Sequence, residues 1–201
     1  KSHLGETLGE RLFEVVDHLN QGSSLAITPA ARMLLVRLNL QAGQQAKLTA
    51  AYQTSADYLR HGHHWLTQEH WQTAYELTLS VHLELVEVSY LCGDFDQMET
   101  VAESVFLQAP TPLEKVKVYE TRISAYTGQT QYLKAIQTVR EGLSLFGVEL
   151  PEKPTPAALT SAWASTASRW QGVTISELVH LPRLTSTHGQ ATMRLLSSSV
   201  A

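Results

Sequence analysis

Histidine is the first residue type here whose crowding could mean chemistry. The chain holds nine, and His61, His63, His64 and His70 lie close together. Imidazoles suit zinc or nickel, but a metal needs convergent ligands. This spacing matches no H-E-x-x-H helix, and Gly62 interrupts the helix on which His61 and His64 would share a face. The expectation is a polar loop between helices, with no metal. Carboxylates come next. Glu84 and Glu87 stand at i, i+3, and Glu76 lies about two turns before Glu84. They could do acid–base work only if buried and shifted in pKa, and the pattern predicts a solvated stripe instead. No G-x-S-x-G elbow, G-x-G-x-x-G turn or G-x-x-x-x-G-K-[ST] loop occurs. No catalytic, cofactor-binding or metal-ligating residue is therefore expected in this segment, which is not read as an enzyme.

Other residues point to contact rather than reaction. Trp65 and Trp71 flank a short polar loop, and Trp163 and Trp170 lie seven apart on one helical face. Tryptophans concentrate binding energy when they are exposed at an interface. The competing reading is packing of the C-terminal helix onto the rest of the chain. Cys92, the single cysteine, rules out an internal disulfide and reads as a small apolar filler in a reducing compartment.

The bulk numbers agree. Of 201 residues, 43% are hydrophobic, enough for a real core. Only 17% are charged, where about 25% is usual, so part of the surface is expected to meet other protein. The net charge is −4, with no basic run, which excludes the electrostatic footprint of a nucleic-acid binder. No signal peptide and no apolar run long enough for a membrane span are found, so a cytoplasmic location is expected. The chain opens on Lys1 and ends in mid-pattern at Ser197-Ser-Ser-Val-Ala201, as an excised piece of a larger protein would.

The elements that carry these residues are helices. Leu8, Leu12, Val15, Val16 and Leu19 make a one-sided stripe in residues 4–20. Thr28-Pro29 opens the next helix, threonine as cap and proline at the first helical position. Gly43 is expected to end it, and Gly62 to end its partner, which holds Leu48, Tyr52, Tyr58 and Leu59. Residues 75–91 alternate like a strand, from Tyr75 through Leu77, Leu79, Val81, Leu83 and Leu85. The run is too long for a strand and nothing else alternates to pair with it. As a helix it is apolar on two faces, which predicts burial between neighbours. Met98, Val101, Ala102, Val105, Phe106 and Ala109 follow the helical period until Pro110. A third pair runs through Leu113, Val116, Tyr119, Ile123 and Tyr126, then Tyr132, Ile136, Val139, Leu143 and Phe146, with Gly147 as cap. Residues 151–156 form a stiff proline-rich connector. Thr155-Pro156 starts a helix reaching about Trp170, a short turn runs from Ile175 to Leu181, and residues 187–199 look like one further helix without its partner. The division is thus 1–27 as a leading helix, 28–150 as helix pairs, and 151–201 as connector and C-terminal helices.

The recurring unit, a long helix running to Leu40-Gln-Ala-Gly43, Tyr90-Leu-Cys-Gly93 or Tyr126-Thr-Gly128 and then a second helix, is the mark of an α-solenoid. The turn Gly93-Asp94-Phe95-Asp96-Gln97-Met98, with Ala102 and Pro110 after it, resembles the tetratricopeptide repeat; Tyr132-Leu-Lys-Ala135 stands in the same role, whereas Gln45 replaces the aromatic of the first unit. The resemblance covers residues 28–147 and implies an all-α, right-handed α-α superhelix of antiparallel helix pairs. A narrower likeness covers nearly the whole chain. Residues 10–20, 71–76, 87–95, 115–120 and 147–151 resemble the region just after the AAA-type, STAND-like ATPase module of large bacterial sensory serine/threonine and hybrid histidine kinases. That resemblance implies a regulatory arm between switch and output.

In tetratricopeptide arrays the first helices line a groove for a peptide. On that pattern Arg37, Lys115, Lys117 and Arg122 are candidate lining residues that could hold acidic groups. The expected function is a non-catalytic interaction and relay module whose partners are other domains of the parent chain or a peptide. The alternative is an inducer-binding array, which would need a closed pocket lined by tyrosines and tryptophans. A cut array would also expose apolar ends, so self-association through residues 187–199 is a further expectation.

Overall fold

The structure is a computed structural model; it describes residues 2–22, 28–172, 174–178, 180 and 182–198, with side chains of the first helix described from Arg11 onward. Every regular element among the described residues is an α-helix. Local chemistry sets several of the ends. After α1 (Ser2–Gln21), α2 runs over Pro29–Leu48, and the Thr28 hydroxyl accepts from the Ala31 amide at 3.2 Å. Before α6 (Phe95–Gln108), Gly93 takes φ +76°, a left-handed conformation cheap only for glycine, and the Asp94 carboxylate accepts from the Gln97 amide at 3.2 Å. The Glu114 carboxylate reaches back to the Thr111 amide at 2.9 Å at the start of α7 (Pro112–Gly128). Gly147, with φ +75°, follows α8 (Tyr132–Ser144) in the cap role expected of it.

Two glycines overturn their expected role. Gly43 does not end α2, and Gly62 does not end α3 (Tyr52–His64); both lie inside helices. The turn between them is made by Thr49, Ala50 and Ala51, with Ala50 at φ +58°. The glycines mark where two helices approach closely. A Cβ on Gly43 would sit 2.7 Å from Leu59 Cγ, and one on Gly62 would sit 3.2 Å from Asn39 Cβ. Ser55 uses the same closeness to donate to the Gly43 carbonyl at 2.7 Å.

A short α4 (His70–Thr73) leads into α5 (Tyr75–Leu91), so the alternating segment is a helix. Its two apolar faces are both used. Leu79, Val81, Leu85, Val86 and Val88 are buried, with α2 and α3 on one side and α6 and α7 on the other. The strand-like alternation is what burial on two sides of one helix looks like in sequence.

Packing proceeds in chain order. α1 lies on α2, α2 on α3, both on α5, α5 on α6 and α7, and α7 on α8. The apolar interior follows the same order. Val16, Ala42 and Tyr58 form one cluster with Leu12, Phe13 and Leu38. A larger one joins Ala56 and Leu59 to Leu85, Met98, Val105, Val118 and Ala125. A last one joins Val116, Ile123, Val139 and Leu143 to Ala191 and Leu195.

That last cluster corrects the reading of the C-terminal helix. α11 (Thr187–Ser198) has partners: it packs on α7 and α8. Residue 199, which the sequence placed in it, lies outside the described residues, as do 179 and 181 of the expected turn around α10 (Ile175–Leu178). By contrast α9 (Pro156–Trp170), opened by the Thr155 hydroxyl accepting from Ala158 at 3.2 Å, has no buried residue at all. Packing of this helix onto the last pair, one of two readings of Trp163 and Trp170, is not what the structure holds.

Candidate interaction surface

The first helix of each pair contributes charges to one continuous row. Lys47 of α2 donates to both Glu84 and Glu87 of α5. Lys117 of α7 donates to the same two carboxylates, at 3.3 Å and 2.7 Å. One turn on, Glu120 of α7 takes a two-pronged bond from Arg194 of α11, its Nε at 2.7 Å. The spacing explains the row. Glu84 and Glu87, and Lys117 and Glu120, stand at i, i+3 and therefore share a helix face. Three cations, Lys47, Lys117 and Arg194, meet three carboxylates, Glu84, Glu87 and Glu120.

Glu84 and Glu87 are thus not the solvated stripe their spacing suggested, although Glu76 is exposed. Glu84 keeps only 14% of its side-chain surface in water. Burial alone would push the Glu87 carboxyl up, but its bonds from Lys117 and Lys47 outweigh that and hold it below the usual carboxylate range. Burial likewise opposes the Lys47 charge, and the bonds to Glu84 and Glu87 override it, raising its pKa. Both partners are held in their charged forms, so the row is an ion ladder rather than a proton-transfer pair. Beside it lies a shallow groove of about 380 Å³, lined by Tyr90, Leu91, Lys117, Thr121, Ser124 and Arg194 among others.

The four basic residues singled out in the sequence do not come together. Lys117 stands in the ladder. Arg122 faces the second helix of the preceding pair, where it binds Glu99 and Glu103 and lies 4.6 Å over the Phe106 ring. Its Nε is buried without a hydrogen-bond partner. Lys115 is half-buried seven residues before Arg122, and Arg37 is exposed on α2. Lys47, Glu120 and Arg194, which sequence reasoning did not select, carry the row instead. Their i, i+3 and i, i+4 patterns link residues only within one helix, whereas these pairs cross between helices.

The tryptophans divide as well. Trp71 is buried, 4.6 Å from the His82 ring, and Trp65 is half-buried with the Arg32 guanidinium 5.2 Å over it. Trp163 and Trp170 are exposed, at 77% and 51%. Three of the four clustered histidines are helical rather than in a loop: α3 runs through His61, His63 and His64, the non-helical residues 65–69 separate them from His70, and His63 packs edge-on against His82 of α5 at 4.7 Å. Burial pushes the His82 pKa down to about 4, against the opposing bond to the Thr78 carbonyl, and burial next to His64 lowers that of His63. His70 instead accepts the Thr67 amide at 2.9 Å, opening α4. Among the described residues no three His, Cys, Asp or Glu side chains are placed to hold a metal ion. Burial also raises the Cys92 thiol pKa, against the pull of Arg60, which keeps it from thiolate chemistry. No helix of the described residues is long and apolar enough to cross a membrane.

No family model matches the chain, and no solved structure matches it. One curated protein does: hybrid signal transduction histidine kinase G of Dictyostelium discoideum is 22% identical over 178 residues, covering 84% of this chain and 5% of that protein. The chain is therefore similar to a small part of a very long signalling protein, and that part is all-helical here.

Proposed function

We propose that this chain is a non-catalytic, tetratricopeptide-like interaction and relay module of a larger sensor kinase. The observation that carries the reading is the ion ladder that joins α2, α5, α7 and α11 across successive clusters of apolar side chains. An array in which each helix pair packs on the pairs beside it deforms as a chain of coupled joints. The ladder gives those joints a shared register, because a tilt of α5 moves Glu84 and Glu87 against cations on both flanking helices. A partner that favours one tilt shifts the population of the whole stack. The match to a histidine kinase supports placing such a stack in a signalling protein. Its relation to an AAA-type, STAND-like ATPase module, and a bacterial source, rest on the sequence resemblance alone.

The charge balance of the ladder argues against a basic clamp for acidic peptides. It favours a partner that reads shape and hydrogen bonds. The inducer-binding alternative wants an enclosed pocket lined by tyrosines and tryptophans, whereas among the described residues the grooves beside Leu133, Tyr58 and Tyr90 are open and carry no tryptophan.

The test is a binding titration of this chain against the separately expressed neighbouring domains of its parent, by calorimetry, with the wild type and with Glu84→Gln/Glu87→Gln. Micromolar binding that the double variant weakens at least tenfold, with helix content unchanged by circular dichroism, is the expected result. Indifference of the wild-type chain to every neighbouring domain overturns the proposal.

A further inference from the structure

The second helix of the last pair leaves an apolar face in water. On α8, Leu133 is 85% exposed and Ile136 56%. With Leu150, just before the connector, they form the apolar floor of a groove of about 660 Å³, rimmed by Arg140, Glu141 and Lys153. The chain is fixed where it enters the connector, because Arg140 Nε donates to the Leu150 carbonyl at 2.9 Å.

The same chain presents a matching helix a few residues later. Leu159, Trp163 and Trp170 of α9 stand at i, i+4 and i+11, one face, all exposed. Helices of this length are marginal in water without tertiary packing, since nucleation outweighs the few bonds gained. α9 therefore has a reason to seek a surface. The surface within reach is the α8 groove. From Leu150 to Pro156 the chain spans at most about 20 Å, and α9 and α8 are both about 20 Å long.

We infer that α9 is a strap that closes onto the outer face of α8 in the same molecule, with Trp163 seated between Leu133, Ile136 and Leu150. The short connector sets the local concentration of α9 at the groove far above that of any second molecule. The closed strap would keep this face from other helices with a similar apolar stripe.

Cysteine trapping tests it on the whole chain. With Cys92→Ser as background, Leu133→Cys is paired with Trp163→Cys. A control pairs Leu107→Cys with Trp163→Cys, Leu107 being as exposed on α6 as Leu133 is on α8. Each pair is oxidised at low micromolar protein in a glutathione redox buffer and read by non-reducing gel and peptide mass spectrometry. A disulfide demands Cα atoms within about 7 Å. The expected result is an intrachain bond in the first pair forming at least tenfold faster than in the control, and slowed at least tenfold by Ile136→Asp with helix content unchanged. Equal rates in both pairs, no bond, or a bond only between two chains would each overturn the strap, the last by assigning the groove to a second copy.

Discussion

α5 and α9 are helices of similar length with opposite fates. α5 opens after Ala74 with no side-chain cap, yet it is buried from both sides. α9 has a threonine cap and a proline in its first turn, yet none of its residues is buried. The contrast separates two jobs that helix signals are often asked to do together. Caps and prolines say where a helix begins, because they satisfy or remove amide donors locally. Apolar faces say what it rests on, and that depends on which other helices the chain brings alongside.

The largest test of this contrast is truncation of one leucine in each helix. Leu85 is fully buried in α5, so Leu85→Ala leaves a cavity and is expected to cost about 3 kcal/mol in urea unfolding. Leu159→Ala on α9, from a site 56% exposed, should change global stability by less than about 0.5 kcal/mol. Equal losses would mean that α9 is part of the cooperative core.

Gly43→Ala asks whether close approach of helices matters as much as apolar content. The new methyl would meet Leu59 at 2.7 Å, and overpacking of this kind is expected to cost about 2 kcal/mol. Gly128→Ala, where nothing lies within 4 Å, should be neutral or gain a few tenths of a kcal/mol from helix propensity. The ordering of the two midpoints decides the point.

Acid sharpens the same comparison, because α5 holds the buried imidazole. The His82 pKa lies at about 4 against an ordinary 6.5, so the unfolded chain takes the proton first. The neutral ring's contribution is complete above pH 6.5 and is lost as pH falls toward 4. Between pH 7 and pH 5 the cost is about 2 kcal/mol, with His63 acting in the same direction. His82→Phe should flatten this slope in denaturant titrations taken across pH; an unchanged slope would remove His82 as its source.

The smallest effect belongs to α9. Thr155→Ala removes a cap worth about 1 kcal/mol to the helix itself. Hydrogen exchange should speed up in residues 156–160 alone, with the global unfolding midpoint unmoved.

Much of the helix pattern was legible in the residues. Thr28-Pro29, Thr155-Pro156 and Gly93-Asp94 mark starts through bonds made within one turn, so no distant partner was needed to read them. The two faces of residues 75–91 predicted burial on both sides, and α5 is so buried. The misreadings share one cause. Gly43 and Gly62 look alike whether a helix stops there or another helix presses there. Glu84 and Glu87 looked solvated because Lys47 and Lys117, their partners, stand on other helices. Of the four basic residues expected along one groove, Lys117 and Arg122 turned to different neighbours, since a single helix presents residues five apart on different faces.

What the amino-acid order determined by itself is an all-helical chain with helix starts set by caps and prolines. Those features rest on interactions a few residues long. Tertiary structure alone decided which glycines are spacers, which carboxylates are paired and which tryptophans stay in water, because each depends on a partner more than a helix away along the chain.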